Sequence, residues 1–209
     1  MIVDNFAYLR DKLDFSDKNK FYMIQLQQRK KDDESFPANN RTVKTYFIDS
    51  LEDYDRLEPE MKRLSNETGS RVYIRLNRRS YEGVALQVLR ELAQILQDKN
   101  FQHLKNIVPS AAGKVNSEDK KLWLIDVDQT YDMTDSEYIE MIECIKRAKP
   151  EGDEKIQYCV NTLHGSHIIT HPFDLREFSR LYPNIDIHKD NPTLLYFNSD
   201  AHRSISGTD

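Results

Sequence analysis

Apolar positions along this chain switch repeatedly between a period of two and a period near 3.6, which predicts strands interleaved with helices. Ile2, Val3, Phe6, Leu9 and Leu13 are spaced as on one helix face and predict a short amphipathic helix over residues 2–14. Residues 21–27 and 42–48 are rich in aromatic and β-branched side chains; the charged, Pro- and Asn-containing segment 29–41 between them makes a long hairpin the expected arrangement. Ser50 with Asp53 three positions on is a variant of the capping box, starting a helix that runs to about Glu67 and stops at Gly69, with Pro59 a place for a break or kink.

The alternation Arg71-Val72-Tyr73-Ile74-Arg75-Leu76 predicts a half-buried strand, and Val84, Leu86, Val88, Leu89, Leu92 and Ile95 predict a strong helix over 80–97. Residues 101–117, less regular and holding Pro109 and Gly113, read as a connector. Beyond it the pattern predicts a strand at 121–127, a helix over 135–148, strands at 155–161 and 167–170 about a turn at 163–166, a short helix at 174–181 and a last strand near 193–197. The whole order predicts an α+β fold: an open mixed β-sheet with helices packed on it. Residues 1–69 form an N-terminal αβ layer in this scheme, 70–197 a core, and 198–209 a small, polar, flexible tail.

Composition narrows the function classes. The 209 residues suffice for one domain with a proper core, and at 38% apolar and 31% charged the chain is polar without resembling a disordered one. A formal charge of −5 supplies no global basic field, so any nucleic acid must be met by local patches. Cys144 and Cys159 make no disulfide framework and no C-x-x-C; with no 18-residue apolar run and no basic-then-apolar leader, a cytoplasmic protein without a membrane partner is expected.

Candidate chemistry lies in two short segments. Leu122-Trp123-Leu124-Ile125-Asp126-Val127-Asp128 is an apolar run ending in two acids, which on a strand project from the same face. Two carboxylates held side by side repel, and a divalent cation with a taste for oxygen, Mg²⁺ or Mn²⁺, relieves that repulsion. Solvated loop carboxylates are the plainer alternative. Gly165-Ser166-His167 is a tight turn that presents an imidazole at the start of a β-branched run, where it can donate to a phosphate oxygen beside backbone N–H groups. Five of the six histidines, His164, His167, His171, His188 and His202, follow residue 160, so zinc is weighed too; the pairs 164/167 and 167/171 carry ligand spacings suited to a helix rather than to a turn and strand. His164-Gly165-Ser166 and His202-Arg203-Ser204 also match the letters of two-histidine phosphoesterases. Asp126-Val127-Asp128-Gln129-Thr130 fits the nucleophile loop of haloacid dehalogenase-like phosphatases, although about 120 residues precede it and that family opens its domain with this strand.

An apolar strand with D-x-D, a helix, a strand, then small-x-His opening another strand resembles the archaeo-eukaryotic primase (primase-polymerase) superfamily. Leu124-Ile125-Asp126-Val127-Asp128 matches its first motif, hhhDhD, and Gly165-Ser166-His167 its second. The third, an acid after an apolar residue, is nearest at Ile185-Asp186, with Asp190 the other candidate. The resemblance covers roughly 70–197 and implies a primase-polymerase-like core. Asp126, Asp128 and Asp186 would be its metal ligands, Mg²⁺ or Mn²⁺ its ion, a nucleoside triphosphate its substrate, and DNA or RNA its further partner. Asp126, Asp128 and His167 would be catalytic, with Gly165, Ser166, Lys189 and Arg75 toward the nucleotide; the chemistry would be attack of a 3′-hydroxyl on an α-phosphate. A nucleotide- or nucleic-acid-binding relative without catalysis is the alternative the same motifs allow. No zinc-binding Cys cluster accompanies them. Arg71, Arg75, Arg78 and Arg79 cluster on and after one strand, where Arg71 and Arg75 share a face with Tyr73 between, a plausible backbone track, whereas Arg29-Lys30-Lys31 is offset by Asp32-Asp33-Glu34 and reads as a solvated loop.

Overall fold

The computed structural model describes residues 1–32, 40–128 and 133–201. The helix expected over 2–14 is instead a strand, β1 (Ile2–Asp4), followed by a single short helix, α1 (Phe6–Arg10). The change has a long-range cause: β1 pairs with the last strand of the chain, Val3 against Phe197. The buried Asn5 amide then ties the turn after β1 to the carbonyls of Asn161 and Leu194, each at 2.9 Å.

The hairpin is present as β2 (Lys20–Arg29) and β3 (Asn40–Ile48), in antiparallel register from Tyr22↔Ile48 to Arg29↔Asn40. Next comes α2 (Leu51–Thr68), started by Ser50 Oγ accepting from the Asp53 N–H at 3.1 Å and stopped at Gly69, whose φ of 62° is the left-handed conformation a helix end needs. Pro59 is accommodated inside it. β4 (Arg71–Ser80) leads into α3 (Tyr81–Asp98) through a second serine cap, Ser80 Oγ on the Gly83 N–H. The expected connector is itself helical: a 3-10 turn, Phe101–Asn106, and then α4 (Ile107–Lys114), which buries Ala111 and Ala112. The rest follows as β5 (Trp123–Asp128), α5 (Asp135–Arg147) with a complete capping box from Thr134 and Glu137, β6 (Ile156–Asn161), β7 (Gly165–Thr170), α6 (Leu175–Leu181), β8 (Asp186–His188) and β9 (Thr193–Asn198).

The fold is α+β, but the single open mixed sheet is corrected to two wholly antiparallel ones, ordered β1-β9-β4-β2-β3 and β6-β7-β5-β8. The helical crossovers do join parallel strands, β3 to β4, β5 to β6 and β7 to β8. In each case an antiparallel strand is inserted between the two, so among the described residues no hydrogen-bonded neighbours run parallel. The segment β5-α5-β6-β7-α6-β8 is thereby a βαββαβ unit of the split, ferredoxin-like kind, with its first and third strands at the centre. Strands of the first sheet come from both ends of the chain: β1 to β4 and, between β1 and β4, β9.

The faces of β5 divide by parity. Ile125 joins Met141, Cys144 and Ile145 of α5 and Phe178 of α6, with Trp123 and Val127 packed alongside. Leu124 looks the other way, into a core shared with Ile24, Val72 and Ile74 of the first sheet and Tyr54 and Met61 of α2. Helices α3 and α4 cover the far side of the first sheet, over Phe21 and Met23. No helix among the described residues is long and apolar enough to cross a membrane.

Candidate functional site

Continuing the parity of β5, Asp126 and Asp128 fall on the Leu124 face but lie past the shared core, where the two sheets part into an open cleft of about 310 Å³. Antiparallel register fixes their neighbours. Asp126 stands opposite His167 of β7 on one side and Asp186 of β8 on the other, and Asp128 stands opposite Gly165. Directly opposed residues share a face. The register therefore brings Asp126, Asp128, His167 and Asp186 to one surface; the first three line the cleft, and Asp186 is exposed.

The imidazole is gripped from both sheets. His167 Nε2 lies 3.5 Å from Asp126 Oδ1, and Nδ1 lies 2.8 Å from the hydroxyl of Thr193, a fully buried residue of β9. The bond from His167 holds the Asp126 carboxyl below its ordinary range; burial opposes this, and the charges of His167, His188 and Arg29 assist it. Gly165 is demanded by the close approach of β5: a Cβ there would meet the Val127 carbonyl oxygen at 2.1 Å. Ser166 pairs with Val127 and so takes the opposite face, toward α5 and α6.

Other expected contacts are engaged elsewhere. Lys189 lies over the Trp123 ring, 5.2 Å from its centroid, and is not part of the cleft lining. Arg75 donates to the Asp190 carbonyl at 2.5 Å and also lies outside the cleft. Asp190 binds the buried Arg79 at 2.5 Å and accepts from Asn77 and Asn116; of the two candidates for a third acid, Asp186 is thus the one in register with Asp126. The arginine track is a set of ion pairs: Arg71 with Asp32 through two bonds, Arg78 with Glu118 and Asp14, Arg79 with Asp190. His171 turns to the Lys121 carbonyl at 3.1 Å, away from the cleft. Gln129, Thr130, His202, Arg203 and Ser204 lie outside the described residues.

What sequence reasoning passed over is the wall facing the acids. Arg29 and Lys31, taken for solvated loop, line the cleft with Arg71 and Tyr73, and Arg29 Nη1 donates to the Tyr73 hydroxyl at 2.9 Å. Their neighbour Asp32, expected to offset them, is turned to Arg71 instead. His164 and His188 complete the rim. The hairpin pattern held the available signal: extending the register of 21–27 past Gln27 places Arg29 beside the strand that carries Arg71.

Among the described residues no group of three or more His, Cys, Asp and Glu side chains is arranged to hold a metal ion. Asp126 and Asp128 still make a donor set suited to one kind of ion. Mg²⁺ is commonly held by one or two carboxylates with water and substrate phosphates completing its shell, whereas zinc asks for three or four protein ligands. Comparison of the chain with protein-family models, with curated proteins and with solved structures finds no match.

Proposed function

We propose that this protein is a metal-dependent nucleotidyltransferase of the primase-polymerase type, with a nucleoside triphosphate and a DNA or RNA strand as substrates. The observation that carries the reading is a cleft divided by charge. Asp126 and Asp128 form one wall beside His167, and Arg29 and Lys31 stand on the other. Carboxylates and cationic side chains lining one cleft of about 310 Å³ suit a ligand that carries both charges, a cation toward the acids and an anion toward the bases. Magnesium or manganese polyphosphate has that character. The βαββαβ unit adds support by placing the paired acids and the histidine on its two central strands.

Each side chain then has a role. Asp126 and Asp128 hold the divalent ion, with Asp186 the nearest further acid in register. When bound, that ion stabilises the attacking and leaving oxygens of phosphoryl transfer. Arg29 and Lys31 receive phosphate charge, the arginine in a fixed fork and the lysine as a point charge. His167, bonded to Asp126 through Nε2, keeps that carboxylate ionised for the metal.

Primer extension and nucleotide binding, measured together on the full chain, test the reading. Mg²⁺- or Mn²⁺-dependent incorporation is expected, lost in Asp126→Asn and Asp128→Asn variants that remain folded. Nucleotide binding with no incorporation by the unaltered protein would instead make this a binding module that uses the same cleft.

A further inference from the structure

We propose that Thr193 is the positioning residue for His167, deciding which ring nitrogen faces the acids; its consequence for turnover rests on the nucleotidyltransferase reading. This contact joins the two sheets beside the cleft: Thr193 begins β9 in the first sheet, and His167, which lines the cleft, lies on β7 in the second. Thr193 is fully buried, pairs with Ile74 in the ladder, and brings Oγ1 to 2.8 Å from His167 Nδ1. The other ring nitrogen, Nε2, is the one 3.5 Å from Asp126.

A neutral imidazole carries one N–H and one bare nitrogen, and the partner of one nitrogen selects the state of the other. A hydroxyl that donates to Nδ1 leaves the proton on Nε2, toward Asp126. Without that hydroxyl, Nδ1 is a partly buried acceptor with nothing to accept from, and the ring gains by turning over to present a carbon there, which frees the proton from its fixed place on Nε2. Valine has nearly the shape of threonine and lacks the hydroxyl; serine keeps it. The two substitutions therefore separate positioning from packing.

The test is the ¹⁵N spectrum of the His167 ring in the full-length, metal-free protein, recorded where the ring is neutral. The unaltered protein and Thr193→Ser are expected to show the Nε2–H tautomer, and Thr193→Val to lose it to a mixture or to Nδ1–H. An Nδ1–H ring in the unaltered protein overturns the proposal without recourse to any variant, and so does a folded Thr193→Val protein whose tautomer is unchanged. In primer extension, Thr193→Val is expected to lower kcat about 10-fold or more, the usual scale for losing a group that orients a functional side chain, with KM little changed and serine restoring the rate. Equal kcat in the valine variant would remove the catalytic consequence. An unaltered protein that shows the Nε2–H tautomer but no incorporation would count against the nucleotidyltransferase reading and leave the positioning role standing.

Discussion

Asp126 and His167 stand directly opposite each other on neighbouring antiparallel strands, with 3.5 Å between carboxylate and imidazole. That contact is the largest influence holding the Asp126 carboxyl below its ordinary range, with His188 and Arg29 adding positive charge. A carboxyl whose folded value is depressed contributes stability above its unfolded value, and that contribution is lost as pH falls through the folded one. In metal-free His167→Ala, the Asp126 carboxyl is expected to titrate at higher pH, toward the ordinary value, and its share of the acid-side loss of stability to shrink. A ¹³C titration of the Asp126 carboxyl checks this. An unmoved midpoint would show that His188 and Arg29, not His167, set its charge.

Asp190 is expected to behave as an anchor, not a metal ligand. Its carboxylate is the partner of Arg79, a fully buried guanidinium, and also accepts from Asn77 and Asn116. Asp190→Ala leaves that buried charge without its counter-ion, an event that costs about 3 kcal/mol or somewhat less here because Asp190 itself is partly exposed. Urea unfolding measures the loss. Removing the charge as well, in Asp190→Ala with Arg79→Met, is expected to recover part of it; a double variant no more stable than Asp190→Ala would contradict the assignment.

Gly165 is expected to tolerate no side chain. A Cβ at this position would meet backbone, the Val127 carbonyl oxygen, and no rotamer change can clear backbone. Gly165→Ala must therefore push β7 away from β5 beside Asp128, with a cost of about 2–3 kcal/mol, at the upper end of ordinary overpacking. Thermal unfolding reads the cost, and amide chemical shifts of Asp126 to Asp128 read the displacement. Undisturbed shifts at those residues would mean that the strain is relieved in the turn instead.

The legible parts of this chain are those set by neighbours in sequence. Ser50 with Asp53 and Gly69 bound α2 because caps are satisfied within one turn, and the acids of β5 face one way because strand side chains alternate. Two sheets in place of one were not legible, since β7 enters between β5 and β6 through pairings that no local pattern encodes. At three residues β8 is too short to display a period, yet it puts Asp186 beside Asp126. Arg79 reads as one of a surface cluster of arginines; it is buried because Asp190, remote in sequence, supplies its counter-charge. In sequence Asp32 reads as a neutraliser of Lys30 and Lys31; in the fold it pairs with Arg71, and Arg29 and Lys31 line the cleft. The acids and histidine that define the candidate site announced themselves in sequence; the basic wall and Thr193 depend on which strands meet.

Lys155 gives a prediction outside the cleft. Its ammonium, nearly inaccessible to water, is the donor for the carbonyls of Lys146, at 2.9 Å, Ala148 and Pro150, where α5 ends and its last carbonyls have no helical partner. A cation at a helix C-terminus also answers the partial negative charge of the exposed carbonyl ends. Lys155→Met preserves the apolar stem and removes all three donors; the Lys146 carbonyl keeps the Gly152 N–H, but the Ala148 and Pro150 carbonyls must find water or remain unsatisfied, at an expected cost of about 2–3 kcal/mol. Lys155→Arg should restore little, because a planar fork cannot point three donors at carbonyls converging on one atom. Urea midpoints measure both variants. Neither residue 155 nor the carbonyls it binds line the Asp126 cleft, so nucleotide binding by the folded Lys155→Met protein is expected to match that of the unaltered chain. A binding defect in that folded variant would mean that the end of α5 and the cleft are mechanically coupled through β6 and β7.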